Sequence, residues 1–149
     1  AEAFVKKYGD QGLLDNAQAV IPDSAGGGER LAIICHEKMH FAKHDIGVCN
    51  RLLQAYHKWV KEDEIANPIS IEGPKPLPFA ASDAGRFSLK GYKAVFLGAF
   101  AGKLMKPKAW HAEDDTWENL DLPIYGASYH LIKHFILLLE EELKSTSSK

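Results

Sequence analysis

Apolar residues recur at steps of four and three from Leu31 onward: Leu31, Cys35, Met39, Ala42, Ile46, Cys49, Leu53, Tyr56 and Val60. Ile34, Phe41, Val48, Leu52 and Trp59 widen the same stripe. This spacing predicts one long helix from about Gly28 to Asp63 or Ala66, ended by Asn67-Pro68. Its apolar face centres between Met39 and Phe41, so His36, His40 and His44 fall on the opposite side.

Shorter periodic segments flank it. Phe4, Val5 and Tyr8 suit a first helix ended by Gly9, and Leu13, Leu14, Ala17 and Val20 a further turn or two. Ile21-Pro-Asp-Ser-Ala-Gly-Gly-Gly28 reads as a flexible loop; a phosphate cradle would need a preceding buried strand and a Lys-Ser/Thr pair. Ile69 to Ala80 carries Pro74, Pro76 and Pro78 and reads as a surface connector in polyproline conformation. Ser82-Asp83 can cap a helix through Phe87, Leu89, Tyr92, Val95, Phe96, Phe100 and Met105, with Gly98 and Gly102 spaced for close helix packing. Asp121 caps a last helix with Pro123 in its first turn. Its core face is Ile124, Tyr125, Leu131, Ile132, Phe135, Ile136, Leu138, Leu139 and Leu143, with His130 and His134 opposite. No β alternation stands out. The predicted fold is all-α: one domain over 1–149, an irregular three- to four-helix bundle with a proline-rich connector.

Composition narrows the function. A net charge of −2 gives no general attraction to nucleic acid. No apolar run reaches the ~20 residues of a membrane helix. Cys35 and Cys49, on one helix, would stand ~21 Å apart, too far to bond. Two buried free thiols suit a reducing compartment, the cytoplasm or an organelle interior after leader removal. Ala1 reads as a processed or trimmed terminus. Seven histidines are the one compositional excess, and they direct attention to metal chemistry.

His36-Glu-Lys-Met-His40 fits H-E-x-x-H. On a helix, residues four apart share a face, so His36 and His40 can hold one Zn²⁺ while Glu37 takes a proton from its water. These five residues resemble the active helix of zincin metallopeptidases, which implies a zinc hydrolase with Glu37 as general base. Lys38 departs from the zincin pattern. His44 lies ~12 Å beyond His36 along a straight helix, too far to share the ion. Glu62, Glu64, His111, Glu113, His130 and His134 are the other candidate third ligands. His130-x-x-x-His134 repeats the spacing and, with His36 and His40, can make a four-histidine site if two polar faces meet. A di-iron bundle would need a second Glu-x-x-His pair. His44-Asp45 resembles the His-Asp site of secreted phospholipases A2, which implies His44 as base and Asp45 as a calcium ligand.

The sequence favours a non-catalytic helical interaction domain or accessory subunit. Its partner would be another protein, met by the aromatic loop from Trp110 to Trp117 and the histidine-rich face. A zinc hydrolase using His36, Glu37 and His40 is the alternative. A small apolar ligand near Gly98 is a third class.

Overall fold

The computed structural model describes residues 1–103, 105–108 and 112–147. The chain is a mixed α/β domain, not an all-α bundle. Its elements are α1 (Glu2–Gly9), β1 (Gln18–Asp23), β2 (Arg30–Glu37), β3 (Ala42–Lys43), α2 (Ile46–Glu62), β4 (Ile71–Leu77), α3 (Asp83–Leu89), β5 (Lys93–Phe100) and α4 (Leu122–Ser147). The first helix, its end at Gly9, and the caps Ser82 and Asp121 match the sequence reading. The Ser82 side chain accepts from the Ala84 N–H, and Asp121 accepts from the Ile124 N–H at 3.1 Å.

The predicted long helix divides in two. Its first part is β2, where Leu31, Ala32, Ile33 and Ile34 are all fully buried. A strand covered on both faces shows a continuous apolar run instead of alternation. That run merged with the genuine helical period of α2, whose Val48, Cys49, Leu52, Ala55, Tyr56 and Trp59 are buried. The true helix start is Asp45, whose carboxylate accepts the Val48 N–H at 2.8 Å. The same masking hid β5, where residues 94 to 100 are all buried. Its small residues serve a sheet, not a helix pair: a Cβ on Gly98 would lie 2.6 Å from the Phe100 ring.

Five strands make one sheet, with β5 between β1 and β2. β1 runs parallel to β5, from Gln18 beside Lys93 to Asp23 beside Gly98. β2 runs antiparallel to β5, and β3 pairs antiparallel with its far end at His36 and Glu37. The supposed proline connector is β4, parallel to β2 with two register shifts. Prolines lack an N–H, so β4 holds Pro74 and Pro76 by pairing with β2 through the groups that remain.

Two apolar layers sandwich the sheet. Leu31, Ile33, Val95, Leu97 and Ala99 pack on α2 and α4. Ala32, Ile34, Phe96 and Phe100 pack with Leu77, Ala84 and Met105 on the other side, and Val5, Phe87 and Ala94 extend that side under α1 and α3. On α4 the core face is Ile124, Ala127, Leu131, Phe135 and Leu138; Tyr125, Ile136 and Leu143, expected inside, are exposed.

Candidate functional site

The H-E-x-x-H residues do not share a helix face. His36 and Glu37 are successive residues of β2, so their side chains leave the strand in opposite directions. Lys38 to Phe41 form the turn into β3, and His40 lies in that turn. Glu37 is fully buried. Its carboxylate accepts from the Ser82 N–H at 3.1 Å, from the Ser82 hydroxyl, and pairs with His44 Nε2 at 3.2 Å. Burial alone would push its pKa up; the hydrogen bonds from His44 and Ser82 outweigh that and hold it below the usual carboxylate value. With its oxygens taken and solvent shut out, Glu37 cannot reach a metal-bound water. It fastens the end of β2 to the start of α3.

His44 completes this corner. Its Nδ1 meets Ser88 Oγ at 2.7 Å, so Ser88, His44 and Glu37 form a hydroxyl–imidazole–carboxylate chain. Two features set this chain apart from a nucleophilic triad. Ser88 sits in the last turn of α3, where helix carbonyls oppose a developing oxyanion. The His44 side chain is itself out of solvent. Asp45 caps α2 with its carboxylate and His44 pairs with Glu37, so the two residues of the phospholipase-like pair have separate partners within the fold.

His130 and His134 do not face solvent opposite the core, as the sequence suggested. The His130 ring stacks on Trp59 with centroids 5.4 Å apart and planes 9° from parallel. His134 is buried, donates Nδ1–H to the His130 carbonyl at 3.1 Å, and has Nε2 3.7 Å from Glu62. Burial lowers its pKa, with the nearby Glu62 and Asp63 carboxylates opposing. Trp59 lies thirteen residues along α2 from its start beside the β2–β3 hairpin, or roughly 20 Å. The two histidine pairs are therefore not brought together. Among the described candidate third ligands, the side chains of Glu62 and His134 are the pair that meet. Among the described residues no group of three or more His, Cys, Asp or Glu side chains is placed to bind one ion. Trp110 and His111 lie outside the described residues. Glu113 is exposed, and Trp117, in a short 3-10 turn, is 74% exposed.

The cysteines are free, Cys35 on β2 and Cys49 on α2, not on one helix. Burial, with the Cys35 and Asp45 charges adding, pushes the Cys49 thiol up to about 12. It is a core residue whose S–H points to the Ile34 carbonyl at 3.8 Å, and no reactive thiolate.

A different place has the character of a site. In sheets with parallel strands, ligands bind outside the carboxyl ends of the strands. β1 and β5 are such a pair, and the loops leaving them enclose a crevice. Its apolar side is walled by Leu77, Phe79, Phe96, Phe100 and Met105, with Asp23 and Ser24 at the edge. Its polar side is walled by Asp23, Ser24, Gly26, Gly27, Lys108, Asp114, Asp115 and Asn119. Asp23 and Ser24 belong to both, at the boundary between greasy wall and carboxylates.

The loop that carries Ser24 is pinned, not flexible. The Gly26 carbonyl accepts from Asp121 N–H at 3.0 Å, the Ala25 carbonyl from Ser128 Oγ at 3.1 Å, and the Gly27 carbonyl from Lys108 N–H. Glycine is needed at Gly28, where a Cβ would stand 2.3 Å from the Phe100 backbone nitrogen; at Gly26 a Cβ would stand 2.2 Å from Leu120 Cδ1, a side chain that would have to shift. Four non-glycine residues among those described have positive φ, and two of them, Ser24 at 53° and Met105 at 52°, line this crevice. Such backbone costs ~1–2 kcal/mol per residue and persists where surrounding structure holds it.

No sequence motif marks the crevice. The available signal was Ile21-Pro-Asp-Ser followed by three glycines, an apolar strand ending in a carboxylate and a close-packed loop. Comparison of the chain with known protein families, curated proteins and solved structures gives no match. No described helix is long and apolar enough to cross a membrane.

Proposed function

We propose that the chain is a recognition domain that takes a segment of a partner polypeptide into the crevice at the carboxyl ends of β1 and β5. An apolar side chain of the partner fills the wall between Phe96, Phe100, Leu77 and Met105. A cationic group next to it, from a lysine, an arginine or a terminal amine, faces Asp23. The observation that carries this reading is the position of Asp23 on the rim shared by the apolar wall and the carboxylate-lined wall. Exposed Phe79 and Trp117 supply aromatic surface on the surrounding segments, 69% and 74% exposed, a composition typical of binding surfaces. A zinc hydrolase built on His36, Glu37 and His40 has less support, because Glu37 is sealed and fully engaged.

The test uses short peptides that place one phenylalanine beside a free amino terminus, beside lysine, or beside an acetylated terminus. Binding is read from backbone amide NMR shifts. Shifts clustered at Asp23, Ser24 and Met105 are expected for the cationic peptides, and Asp23→Asn should weaken them about tenfold, the equivalent of ~1.4 kcal/mol. Equal response to the acetylated peptide would remove Asp23 from recognition. Shifts elsewhere, or none, would defeat the proposal.

A further inference from the structure

Helix α4 is apolar on two sides. One side is the core face already described. On the other, Leu122, Tyr125, Tyr129 and Ile136 are 62%, 49%, 62% and 58% exposed. Leu122, Tyr129 and Ile136 recur at intervals of seven; Tyr125, Ile132 and Leu139 do the same, offset by three, with Ile132 and Leu139 half-buried against the core at the edge of this face. That is the a/d pattern of a helix that pairs with another helix. A solvated helix face needs no such repeat, and the polar composition expected there is absent from these positions.

We infer that this face docks a second copy of the chain, its α4 running antiparallel. The charges beside the seam select that occupant. Lys133 and Glu140 lie seven apart on the same flank, both exposed. A two-fold axis crossing the helix beside Ile136 brings Lys133 of each copy next to Glu140 of the other, twice over. In a parallel pair this flank would face Ser128 and Phe135 of the other copy and leave both charges without an opposite partner. Glu140 is held within the chain by Lys144 at 3.1 Å, an exposed pair that can exchange at little cost. Gly126, in the helix interior, has open space where a Cβ would be; it gives up about 1 kcal/mol relative to alanine and lets a neighbouring backbone come close. The interface is isologous, as a closed two-fold assembly requires.

The test is sedimentation of the whole chain from micromolar to millimolar concentration. A monomer–dimer equilibrium is expected for the wild type. Ile136→Glu should leave a monomer with unchanged helical circular dichroism and the melting midpoint of dilute, monomeric wild type, since Ile136 faces solvent within one copy; Tyr129→Lys is the second variant should the first misfold. Lys133→Glu should weaken the dimer about tenfold, the scale of one unfavourable charge contact, and adding Glu140→Lys should restore it. A wild type monomeric throughout assigns the face to some other occupant and overturns the inference. So does a dimer that survives Ile136→Glu, or one that the charge reversal fails to restore.

Discussion

Two polar regions of this chain behave in opposite ways. The corner made by Glu37, His44 and Ser82 contains the residues that look most like chemistry, yet every oxygen and nitrogen there is answered by a neighbour and closed to water. The crevice at Asp23 and Ser24 has no motif, yet its carboxylates face solvent beside an apolar wall, and its backbone is held in conformations that cost free energy. Polar groups that satisfy each other stabilise a fold. Polar groups left facing a hollow are available to a ligand.

The contrast is broken most directly at Glu37. Glu37→Ala leaves His44 and the Ser82 N–H without their partner in a buried site and should destabilise the chain by about 3 kcal/mol or more, measured by denaturant unfolding. An effect below about 1 kcal/mol would mean that the corner is not a clamp. The same carboxyl carries a pH signature. Its folded pKa is depressed, so its stabilisation is complete above the unfolded value of about 4.3 and is lost as the pH falls through the lower folded value. Wild type should therefore lose more stability on acidification than Glu37→Ala, and parallel acid limbs would contradict this.

The crevice loop comes next. Gly28→Ala drives a Cβ into the β5 backbone and should cost ~1–3 kcal/mol by overpacking, with the amide shifts of Ser24 and Phe100 disturbed together. An unchanged melting midpoint would show that the loop can move away from β5. Asp23→Asn, by contrast, should alter stability by no more than about 0.5 kcal/mol while peptide binding falls; a large stability loss would make Asp23 another structural carboxylate. His36→Gln with His40→Gln, both half-buried, should cost no more than about 1 kcal/mol. Elemental analysis of the wild type beside this variant checks it: zinc present in one and lost in the other would restore the metal reading.

What the sequence made legible follows the same division. Caps were readable because Asp121 and Ser82 act on amides two or three residues away. The lower half of the long stripe was readable because α2 buries one face only. β2 and β5 were not, since both their faces are covered and Leu31-Ala-Ile-Ile34 has the same composition in a strand as in a helix. Prolines in β4 argued for a connector because nothing local says that a strand lies at a sheet edge. The crevice was illegible for a simpler reason. Asp23, Phe79, Phe96 and Met105 are far apart in the chain and meet only because β1 pairs with β5, β5 with β2 and β2 with β4.

The β1–β5 pairing also sets a timetable for biosynthesis. β1 leaves the ribosome long before β5, the strand it pairs with, because residues 18–23 lie beside residues 93–98. Until then its backbone groups have water for partners, and the half-buried Val20 and Ile21 have no sheet to lie against. Closing so long a loop slows folding and prolongs the exposure of an apolar strand to other nascent chains. Pro22 near the end of β1 removes one backbone donor from that waiting strand and makes it a poorer template for stray β pairing. The residue next to Asp23 thus serves the chain before the crevice exists.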